Sequence, residues 1–440
     1  MIMRSLVRPH VFSGTVRVPA SKSHTIRRLL MASLAEGVSS IDRPLDSLDA
    51  RSCVDACRAF GAEIDEIRSP DGKAVSCWKV RGVGAGSAGG SMRVPDSIVD
   101  VGNSGTTLYL ALAIAALGEG YTVFSGDAQI RRRSADSLLT ALRGLGATAF
   151  STRGNGCAPL VVGGPWKGGR VSLECPTSQY LSAILIAAPL APQGSVTEID
   201  VPLLNERPYI EMTLSYLDRQ GIPYEATSDR SWFRIRGGAK YTSVDGSVAG
   251  DFSSAAFPAC AAIISGGSVD LLGLDPEDTQ GDKALFSMLT KMGCELQWTK
   301  SGGEHRLSLR RGARFEGAEF DLNDTPDALP ALAACACYAQ GETRLVNVAN
   351  ARIKETDRIS TMDKELRKLG ARIEECPDGL VIRGGPLSGG TVNGHEDHRV
   401  VMALAIAALG ASGPVEIEGT QAAAVTYPGF LDLLEAGEIL

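Results

Sequence analysis

Hydrophobic and polar positions along the chain form a pattern of strand, polar turn and strongly apolar helix. Residues 16–28 read VRVPASKSHTIRR, in which the alternating valines predict a strand that ends at Pro19. The polar turn ASKSH follows, and the apolar run after it predicts a helix from about Ile26 to Ala35. Backbone N–H groups, hydroxyls and cations therefore meet at one helix start, which favours the binding of an anion.

The same plan recurs five more times, in segments that begin at Ile98, Val171, Val248, Glu319 and Thr391. Equivalent points in the six copies lie 82, 74, 76, 73 and 71 residues apart, at Lys22, Ser104, Ser178, Ser254, Asp327 and His398. A period this regular, and longer than that of ordinary solenoid repeats, predicts six copies of one supersecondary unit.

A second recurring pattern separates the polar turns. It is an amphipathic helix that ends at a glycine, followed by a strand, a turn and a short strand that closes at glycine. Five copies occupy residues 57–82, 142–164, 217–238, 289–312 and 366–385. The glycine after each helix lies where a left-handed residue is needed, and the alternating apolar residues predict a hairpin. Each unit is therefore predicted to be βαβαββ.

The sixth unit is shorter than the other five. Residues 430–440 contain its helix and its glycine, and the segment left without a unit is the N-terminal stretch 6–18. We infer that the first strands complete the last unit. One domain is then expected to contain residues 1–20 and 249–440, and the other to contain residues 21–248. The polar turns lie beside both crossings, so the active site is expected in the interdomain cleft.

The helices that follow the polar turns are apolar on all sides, as in residues 108–117, 181–190 and 400–409. Helices of this kind are buried rather than surface-facing. With three in each domain and their N-termini pointing the same way, positive dipole ends are expected to face the cleft.

Composition restricts the class of protein. The chain has 440 residues, 44% hydrophobic and 22% charged, which is typical of soluble globular proteins of two or more domains. Its net charge of −7 argues against nucleic acid or a membrane surface as the main partner. The N-terminus has no apolar signal region, and each apolar helix is shorter than a bilayer span. A cytoplasmic location is expected.

The ten cysteines lack the paired spacing of a metal site or a disulfide framework, and the five histidines form no ligand cluster. Cys53, Cys57, Cys335 and Cys337 lie in helical patterns and are predicted to be buried thiols. No metal is expected.

Charged and polar side chains collect on or beside the six turns. The cations are Lys22, Arg27, Arg131, Arg132, Arg133, Lys354, Arg358 and Arg399, and the carboxylates are Asp251, Asp327, Glu355 and Asp397. Several cations with few carboxylates suit a substrate pair that carries phosphate and carboxylate groups. A carboxylate among cations stays ionised and acts as a base, whereas a carboxyl in drier surroundings holds a proton.

Four stretches resemble the signatures of the 5-enolpyruvylshikimate-3-phosphate synthase family: Lys22-Ser23 with Arg27, residues 103–107 (NSGTT), residues 352–358 (RIKETDR) and residues 397–399 (DHR). The resemblance spans the whole chain. It implies the enolpyruvyl transferase fold, a two-domain inside-out α/β barrel built from six βαβαββ units. It also implies transfer of the enolpyruvyl group of phosphoenolpyruvate to the 5-hydroxyl of 3-phosphoshikimate, with release of phosphate, through a tetrahedral intermediate. This is a step toward chorismate that uses no cofactor, and a monomer is expected.

The resemblance assigns the residues that bind each substrate. For 3-phosphoshikimate they are Lys22, Ser23, Arg27, Thr177, Ser178, Gln179, Asp327, Asn350 and Lys354. For phosphoenolpyruvate they are Lys22, Asn103, Gly105, Arg133, Gln179, Arg358 and Arg399. Within the first set, Arg27 is expected to grip the shikimate carboxylate, and Thr177 and Ser178 to hold the phosphate.

The same resemblance implies three catalytic residues. Lys22 would contact both phosphoenolpyruvate and the attacking hydroxyl. Asp327 matches the carboxylate that takes the hydroxyl proton, and Glu355 matches the group that protonates the methylene carbon. Addition across an enol ether needs such a base at oxygen and such an acid at carbon.

Three positions depart from the family pattern. Tyr109 stands where many relatives have an arginine, and Glu206 stands where they have a serine. Gln421 stands where well-known members have a lysine that contacts phosphoenolpyruvate, which bears on affinity rather than on the reaction class. Thr177 in place of serine is a milder change.

Simpler structural interpretations remain beside these assignments. The Arg131–Arg133 run is by default a solvated loop, and Glu355 with Arg358 can be a surface ion pair at a helix start. Thr356 is expected to cap that helix. Asp397 can serve only to orient Arg399, and His398 is expected to be a packing or hydrogen-bonding residue rather than a proton shuttle.

Two other functions remain open on the sequence. One is the related transferase that acts on UDP-N-acetylglucosamine, which typically has Asn after the first-turn lysine and a Cys in a mobile loop. Here Ser23 follows Lys22, and the loop 127–134 has no cysteine. The other is a catalytically silent, anion-binding paralogue, against which the presence of Asp327 and Glu355 argues.

Overall fold

The computed structural model describes residues 3–72, 74–86 and 92–436. The chain divides into two compact units. Unit 1 contains Met1–Ser21 and Ala249–Leu440, and unit 2 contains Lys22–Val248. The last helix is described as far as Ala436, and the glycine expected after it, Gly437, lies outside the described residues.

The helices over the described residues are α1 (Lys22–Leu34), α2 (Leu48–Ala59), α3 (Gly105–Ala115), α4 (Asp136–Gly144), α5 (Gln179–Ala187), α6 (Arg207–Arg219), α7 (Phe252–Ser265), α8 (Ala284–Lys291), α9 (Leu329–Ala336), α10 (Arg358–Lys368), α11 (His398–Leu409) and α12 (Phe430–Ala436).

The strands over the same residues are β1 (Arg4–Val7), β2 (Gly14–Arg17), β3 (Val38–Asp42), β4 (Glu63–Arg68), β5 (Val75–Arg81), β6 (Val99–Asp100), β7 (Tyr121–Ser125), β8 (Thr148–Ser151), β9 (Leu160–Gly163), β10 (Gly169–Ser172), β11 (Val196–Asp200), β12 (Tyr224–Ala226), β13 (Trp232–Arg236), β14 (Gly246–Ser247), β15 (Ser268–Leu272), β16 (Cys294–Ser301), β17 (Glu304–Arg311), β18 (Glu319–Asp321), β19 (Glu342–Val346), β20 (Arg372–Cys376), β21 (Gly379–Arg383), β22 (Gly390–Asn393) and β23 (Val415–Glu418).

These strands form six small sheets, of which five have four strands in one repeated topology and the sixth, β1-β23-β22, has three strands. In β6-β7-β9-β8, for example, β6 runs parallel to β7, and β7 runs antiparallel to one strand of the β8–β9 hairpin. The orders β10-β11-β13-β12 and β18-β19-β21-β20 repeat this arrangement. The prediction of six βαβαββ units is confirmed.

The N-terminal strands belong to two different sheets, which differs from the expectation that both complete the last unit. Strand β1 pairs antiparallel with β23 and so completes the sixth sheet. Strand β2 instead pairs parallel with β15 in the fourth sheet. The reason is that β14, the strand that precedes the fourth polar turn, lies in unit 2 and pairs with β3. The fourth sheet therefore takes its parallel edge strand from the N-terminus.

Glycines end the amphipathic helices as expected. The residues after these helices have positive φ, and they are Gly61, Gly146, Gly221, Gly293 and Gly370. In each case a residue with a Cβ would be strained, so the chain reverses there from helix to strand.

The helices that follow the polar turns form the interior of each unit. Every residue of α11 is buried, and α11 packs against α7 and α9 in unit 1. In unit 2, α3 is also buried throughout and packs against α1 and α5. Burial on all sides follows from the apolar composition, because no face is suited to water. The four cysteines predicted to be buried thiols, Cys53, Cys57, Cys335 and Cys337, are free and buried.

Helix α1 begins earlier than the sequence predicted, at Lys22 rather than near Ile26. Lys22 and Ser23 therefore lie in the first helical turn instead of in the preceding loop. Within the described ranges, each helix is too short or too polar to span a bilayer.

Candidate active site

Five charged residues of unit 1 gather at the N-terminal ends of three helices, and we call them the arginine–carboxylate cluster. Asp327 lies in the short 3-10 helix before α9, Arg358 is the first residue of α10, and Asp397 immediately precedes α11. The other two members are Glu355 and Arg399. Each βαβαββ repeat follows the strand–turn–helix plan. Side chains that are distant in sequence therefore meet where the turns lead into the helices.

Arg358 lies at the centre of the cluster, with its side chain 1% exposed. Its Nη1 lies 2.7 Å from Oδ1 of Asp327, and its Nη2 lies 2.5 Å from Oε2 of Glu355. Its Nε donates to Oδ2 of Asp397 at 2.9 Å. Glu355 and Arg358 form the ion pair that the sequence suggested, but its expected surface location is wrong, because the guanidinium is buried among three carboxylates.

Arg399 holds the other oxygen of Asp327. Its Nη2 lies 2.9 Å from Oδ2 of Asp327 and donates to the hydroxyl of Ser253 at 2.9 Å. The Asp327 carboxylate therefore accepts from two arginines, one on each oxygen. Ser253 was not singled out by the sequence, although it lies in the fourth polar turn.

The charges of the cluster shift its pKa values. Burial raises the pKa of Asp327, but the positive charges of Arg399, Lys354 and Arg358 more than offset this and lower the pKa well below its usual range. Burial lowers the pKa of Arg358, and the carboxylates around it, Asp397 first, raise the pKa above its ordinary value. With this lowered pKa, the Asp327 carboxylate is ionised at neutral pH.

Asp397 plays a different part from the expected one. It caps α11 by accepting from the backbone N–H of Arg399, and its carboxylate pairs with the guanidinium of Arg358. Thr356 was expected to cap α10, and this is wrong: Asp357 is the cap and accepts from the backbone N–H of Ser360. The hydroxyl of Thr356 donates instead to Oδ2 of Asp397.

Two further residues of unit 1 were assigned to 3-phosphoshikimate. Asn350 is buried, and its Nδ2 donates to the backbone carbonyl of Asn323 at 3.4 Å. Lys354 lies in the extended segment before Glu355, and its charge contributes to lowering the pKa of Asp327. Lys354 therefore acts electrostatically on the arginine–carboxylate cluster, and Asn350 lies a few residues before it in the chain.

In unit 2, Lys22 forms an ion pair that the sequence did not predict. Its Nζ lies 3.0 Å from Oδ2 of Asp49, whose side chain is 4% exposed. Asp49 lies in the first turn of α2, where a carboxylate is favoured by the helix dipole. The sequence signal that could have pointed to Asp49 is its place as the acidic residue in the first turn of a helix.

Arg27 is buried, and its described hydrogen-bond partners are neutral groups. Its Nε donates to the hydroxyl of Thr213 at 2.9 Å, and its Nη2 donates to Ser182 at 3.3 Å. Its Nη1 donates to the backbone carbonyl of Ser23, one helical turn earlier. Burial lowers the pKa of Arg27 to about 10. A buried guanidinium without a carboxylate among these hydrogen-bond partners suits an anionic ligand.

Thr177 and Ser178 were expected to hold a phosphate, and here both hydroxyls contact a carboxylate. The hydroxyl of Thr177 donates to Oε2 of Glu206 at 3.1 Å, and the hydroxyl of Ser178 donates to the same oxygen at 3.0 Å. The backbone N–H of Gln179, the first residue of α5, donates to the Thr177 hydroxyl at 3.4 Å. The sequence singled out Glu206 as a departure but did not reveal this contact.

Gly105 and Arg133, both assigned to phosphoenolpyruvate by the family resemblance, lie next to each other. A Cβ atom placed on Gly105 would lie 2.6 Å from Nη1 of Arg133, so the guanidinium packs against the glycine. Asn103 donates from Nδ2 to the carboxylate of Asp127 at 2.6 Å and to Oε1 of Gln129 at 2.7 Å. These contacts join the turn before α3 to the loop that leads to Arg133.

Two tyrosines hold the residue that follows Arg133. The hydroxyls of Tyr109 and Tyr180 both donate to the backbone carbonyl of Ser134, at 3.1 Å and 2.5 Å. Their rings pack edge to face at 4.9 Å. Tyr109, which departs from the family pattern, therefore anchors the arginine loop.

Gln421, the third departure, lies at the N-terminal strand of unit 1. Its Oε1 accepts a hydrogen bond from the backbone N–H of Met3 at 3.1 Å. The next backbone contacts join Gly419 and Thr420 to the carbonyl of Met3. The side chain of Gln421 is thus engaged in the contact between this segment and the N-terminal strand.

Comparison with known proteins identifies the family. The model of the EPSP synthase family, 3-phosphoshikimate 1-carboxyvinyltransferase, matches residues 7–434. The chain belongs to the EPSP synthase family. A 3-phosphoshikimate 1-carboxyvinyltransferase of Acetivibrio thermocellus is 50% identical over 428 residues, covering 97% of this chain and 96% of the relative. One of Ruminiclostridium cellulolyticum is 48% identical and covers 96% of each chain.

Solved structures agree with the sequence relatives. The 2.37 Å structure of an EPSP synthase from Acinetobacter baumannii has a TM-score of 0.80 at 28% identity, covering 99% of this chain and 98% of that chain. The predicted family, the inside-out α/β fold with its six repeated sheets, and the prediction of an enzyme are confirmed. The family consists of transferases of aromatic amino acid biosynthesis.

Proposed function

We propose that the chain transfers the enolpyruvyl group of phosphoenolpyruvate to the 5-hydroxyl of 3-phosphoshikimate, giving 5-enolpyruvylshikimate 3-phosphate and phosphate. The observation that carries this proposal is the Asp327 carboxylate, which accepts from Arg358 and Arg399. It supplies an ionised base surrounded by guanidinium groups suited to anionic substrates.

In the addition step, the oxygen of the 5-hydroxyl forms a bond to C2 of phosphoenolpyruvate, and Asp327 accepts the hydroxyl proton. Glu355 donates a proton to the methylene carbon, C3, so that the double bond becomes a methyl group and a tetrahedral intermediate forms. In the elimination step a proton leaves the methyl group, the double bond re-forms and the bond to phosphate breaks. Glu355 accepts this proton as a base, and Asp327 acts as an acid and gives its proton to the departing phosphate.

Arginines supply the electrostatics of the phosphoenolpyruvate side. Arg358 and Arg399 contact Asp327, and their positive charge lowers the pKa of its carboxyl group. We propose that the phosphate and carboxylate of phosphoenolpyruvate draw on the same guanidinium groups. Negative charge added there raises the pKa of Asp327, which makes it a stronger base when the substrates are in place.

Unit 2 supplies groups for the shikimate carboxylate and for the attacking hydroxyl. Arg27 is a buried cation whose described hydrogen-bond partners are neutral, as suits the shikimate carboxylate. Lys22 carries an ammonium that is paired with Asp49, and we propose that it contacts the attacking hydroxyl and phosphoenolpyruvate. Thr177 and Ser178 are assigned to the phosphate of 3-phosphoshikimate.

One assay separates the candidate functions. Phosphate release from phosphoenolpyruvate is measured with 3-phosphoshikimate, with UDP-N-acetylglucosamine or with neither as acceptor. We expect release with 3-phosphoshikimate alone. Release with UDP-N-acetylglucosamine instead would assign the chain to the related transferase, and the absence of phosphate release with either acceptor would indicate a silent, anion-binding protein.

The monomeric state and the cytoplasmic location expected from the sequence are also proposals. Sedimentation equilibrium of the full chain is expected to give the mass of one chain, 46.2 kDa. Cell fractionation is expected to recover the activity in the cytoplasmic fraction.

A further inference from the structure

An internal carboxylate occupies the turn that precedes α5. Oε2 of Glu206 accepts the hydroxyl of Thr177 at 3.1 Å, the hydroxyl of Ser178 at 3.0 Å and the backbone N–H of Ser178 at 3.1 Å. Glu206 is 3% exposed. Three donors that converge on one oxygen at a helix N-terminus make the environment that a phosphate oxygen prefers.

The backbone brings Glu206 to this position. Leu204 forms a parallel bridge with Cys175, and the backbone N–H of Asn205 donates to the carbonyl of Cys175 at 3.1 Å. Nδ2 of Asn205 adds a contact to the carbonyl of Pro176 at 3.3 Å. The segment that carries Glu206 therefore runs beside the turn 175–178, which places the Glu206 side chain next to that turn.

Glu206 does not serve the helix that it begins. It stands directly before α6 with φ of +57°, and its side chain makes no capping hydrogen bond to that helix. A carboxylate in this position normally accepts from the first turn of its own helix. Here it accepts from the start of α5 instead. The left-handed backbone conformation, uncommon for a residue with a Cβ, is retained in spite of that missing cap.

The charge of Glu206 reaches a second candidate binding group. Burial lowers the pKa of Arg27 to about 10, and the Glu206 carboxylate is one of the groups that oppose this shift. Ser182 connects the turn at Ser178 with Arg27, because it lies one turn further along α5 and its hydroxyl accepts from Arg27. Glu206 thus supplies negative charge both to the polar turn and to the buried guanidinium.

We propose that Glu206 is an internal stand-in for the phosphate of 3-phosphoshikimate, which the substrate must displace from Thr177 and Ser178 on binding. This inference rests on the proposed function. It makes Glu206 a specificity-determining residue, because a ligand binds to the hydroxyls of Thr177 and Ser178 only if it carries a group that outcompetes a carboxylate. Shikimate, which lacks the phosphate, leaves Glu206 in place.

Two variants test the displacement. Glu206→Gln keeps the shape and removes the charge, and Glu206→Ser removes the competing group. Isothermal titration calorimetry with 3-phosphoshikimate, shikimate and inorganic phosphate is expected to show about tenfold tighter binding of 3-phosphoshikimate and phosphate to both variants. Shikimate is expected to bind all forms alike. Circular dichroism checks the fold, and Glu206→Gln decides if Glu206→Ser does not fold.

The matched control is Glu211→Gln on the same helix, a carboxylate that pairs with Arg230 at 2.9 Å. It is expected to bind each ligand as the unaltered chain does. Unchanged or weaker binding of inorganic phosphate and 3-phosphoshikimate in both Glu206 variants would overturn the inference, and would make Glu206 a structural cap of α5.

The proposed function is judged separately. If the unaltered chain transfers the enolpyruvyl group but the Glu206 variants bind phosphate no more tightly, the inference about Glu206 is wrong and the function stands. If the variants bind inorganic phosphate more tightly but no form binds 3-phosphoshikimate, the anion site is supported and its assignment to this substrate is overturned.

Discussion

Arg358 and Asp397 form a fully buried ion pair, with Nε 2.9 Å from Oδ2 and side chains that are 1% and 0% exposed. The pair joins the start of α10 to the start of α11, and it fixes the guanidinium that also holds Asp327. A buried charge that loses its partner is strongly destabilising, because the remaining ion is neither solvated nor neutralised.

Replacing Asp397 by Asn is therefore expected to lower the stability of unit 1 by about 3 kcal/mol, since Arg358 keeps only part of its negative surroundings. Urea unfolding followed by circular dichroism measures the change. The control is Glu295→Gln, whose partner Arg310 is well exposed, and which is expected to cost less than about 1 kcal/mol. Equal effects of the two substitutions would contradict the role given to burial.

The same pair predicts a pH dependence. Burial raises the pKa of Asp397, but the charge of Arg358 outweighs it and the folded pKa lies below the ordinary 3.8. A carboxylate with a lowered pKa stabilises the folded state fully above the unfolded value, and this stabilisation is lost as the pH falls through the folded pKa. The stability difference between the unaltered chain and Asp397→Asn should be constant from about pH 7 to 5 and narrow below about pH 4. Thermal unfolding over this range checks it, and a widening difference in acid would refute it.

Asp327→Asn and Glu355→Gln test the proton transfers. Each substitution keeps the shape and removes a group that accepts or donates a proton, so turnover is expected to fall by about 10²- to 10⁴-fold. Binding of 3-phosphoshikimate should be largely retained, which calorimetry measures beside the rate of phosphate release. Unchanged turnover in both variants would refute the catalytic assignment.

Gly105→Ala tests the contact with Arg133. The added Cβ would lie 2.6 Å from Nη1 of Arg133, so the guanidinium must move. We expect KM for phosphoenolpyruvate to rise by about tenfold, equivalent to about 1.4 kcal/mol, with a smaller change in kcat and none in 3-phosphoshikimate affinity. Gly118→Ala, where the Cβ would meet the flexible end of Met92, is the control. An unaltered KM in Gly105→Ala would argue against a role for Arg133.

Tyr109→Phe tests the anchor of the arginine loop. The substitution removes one of the two hydroxyls that hold the carbonyl of Ser134, so Arg133 is less well positioned. KM for phosphoenolpyruvate should rise a few-fold, in line with about 1 kcal/mol for one hydrogen bond. Tyr241→Phe, which removes a buried hydroxyl donating to the carbonyl of Ile186, should lower the melting temperature and leave KM unchanged. Equal KM values in the two variants would show that the anchor is structural only.

The order of residues was enough to predict the repeated architecture and the family. Strictly spaced turns, apolar helices and helix-ending glycines depend on local backbone preferences and on periodicity, which are written directly in the order of residues. Gly61 and Gly370 show this, since each has the positive φ that its place after a helix requires. The signatures around Lys22 and Arg358 indicated the family for the same reason, because each is contiguous in the chain.

The partners of those residues became apparent only in the folded chain. Arg358 meets Asp397 across 39 positions, Lys22 meets Asp49 across 27, and Glu206 meets Ser178 across 28. Strand β2 joins β15 rather than the last sheet because the fourth sheet needs an edge strand that the local sequence does not supply. Ion-pair partners and strand pairings of this kind depend on which charges and strand edges remain unpaired once the repeats have packed. A local sequence pattern does not contain that information.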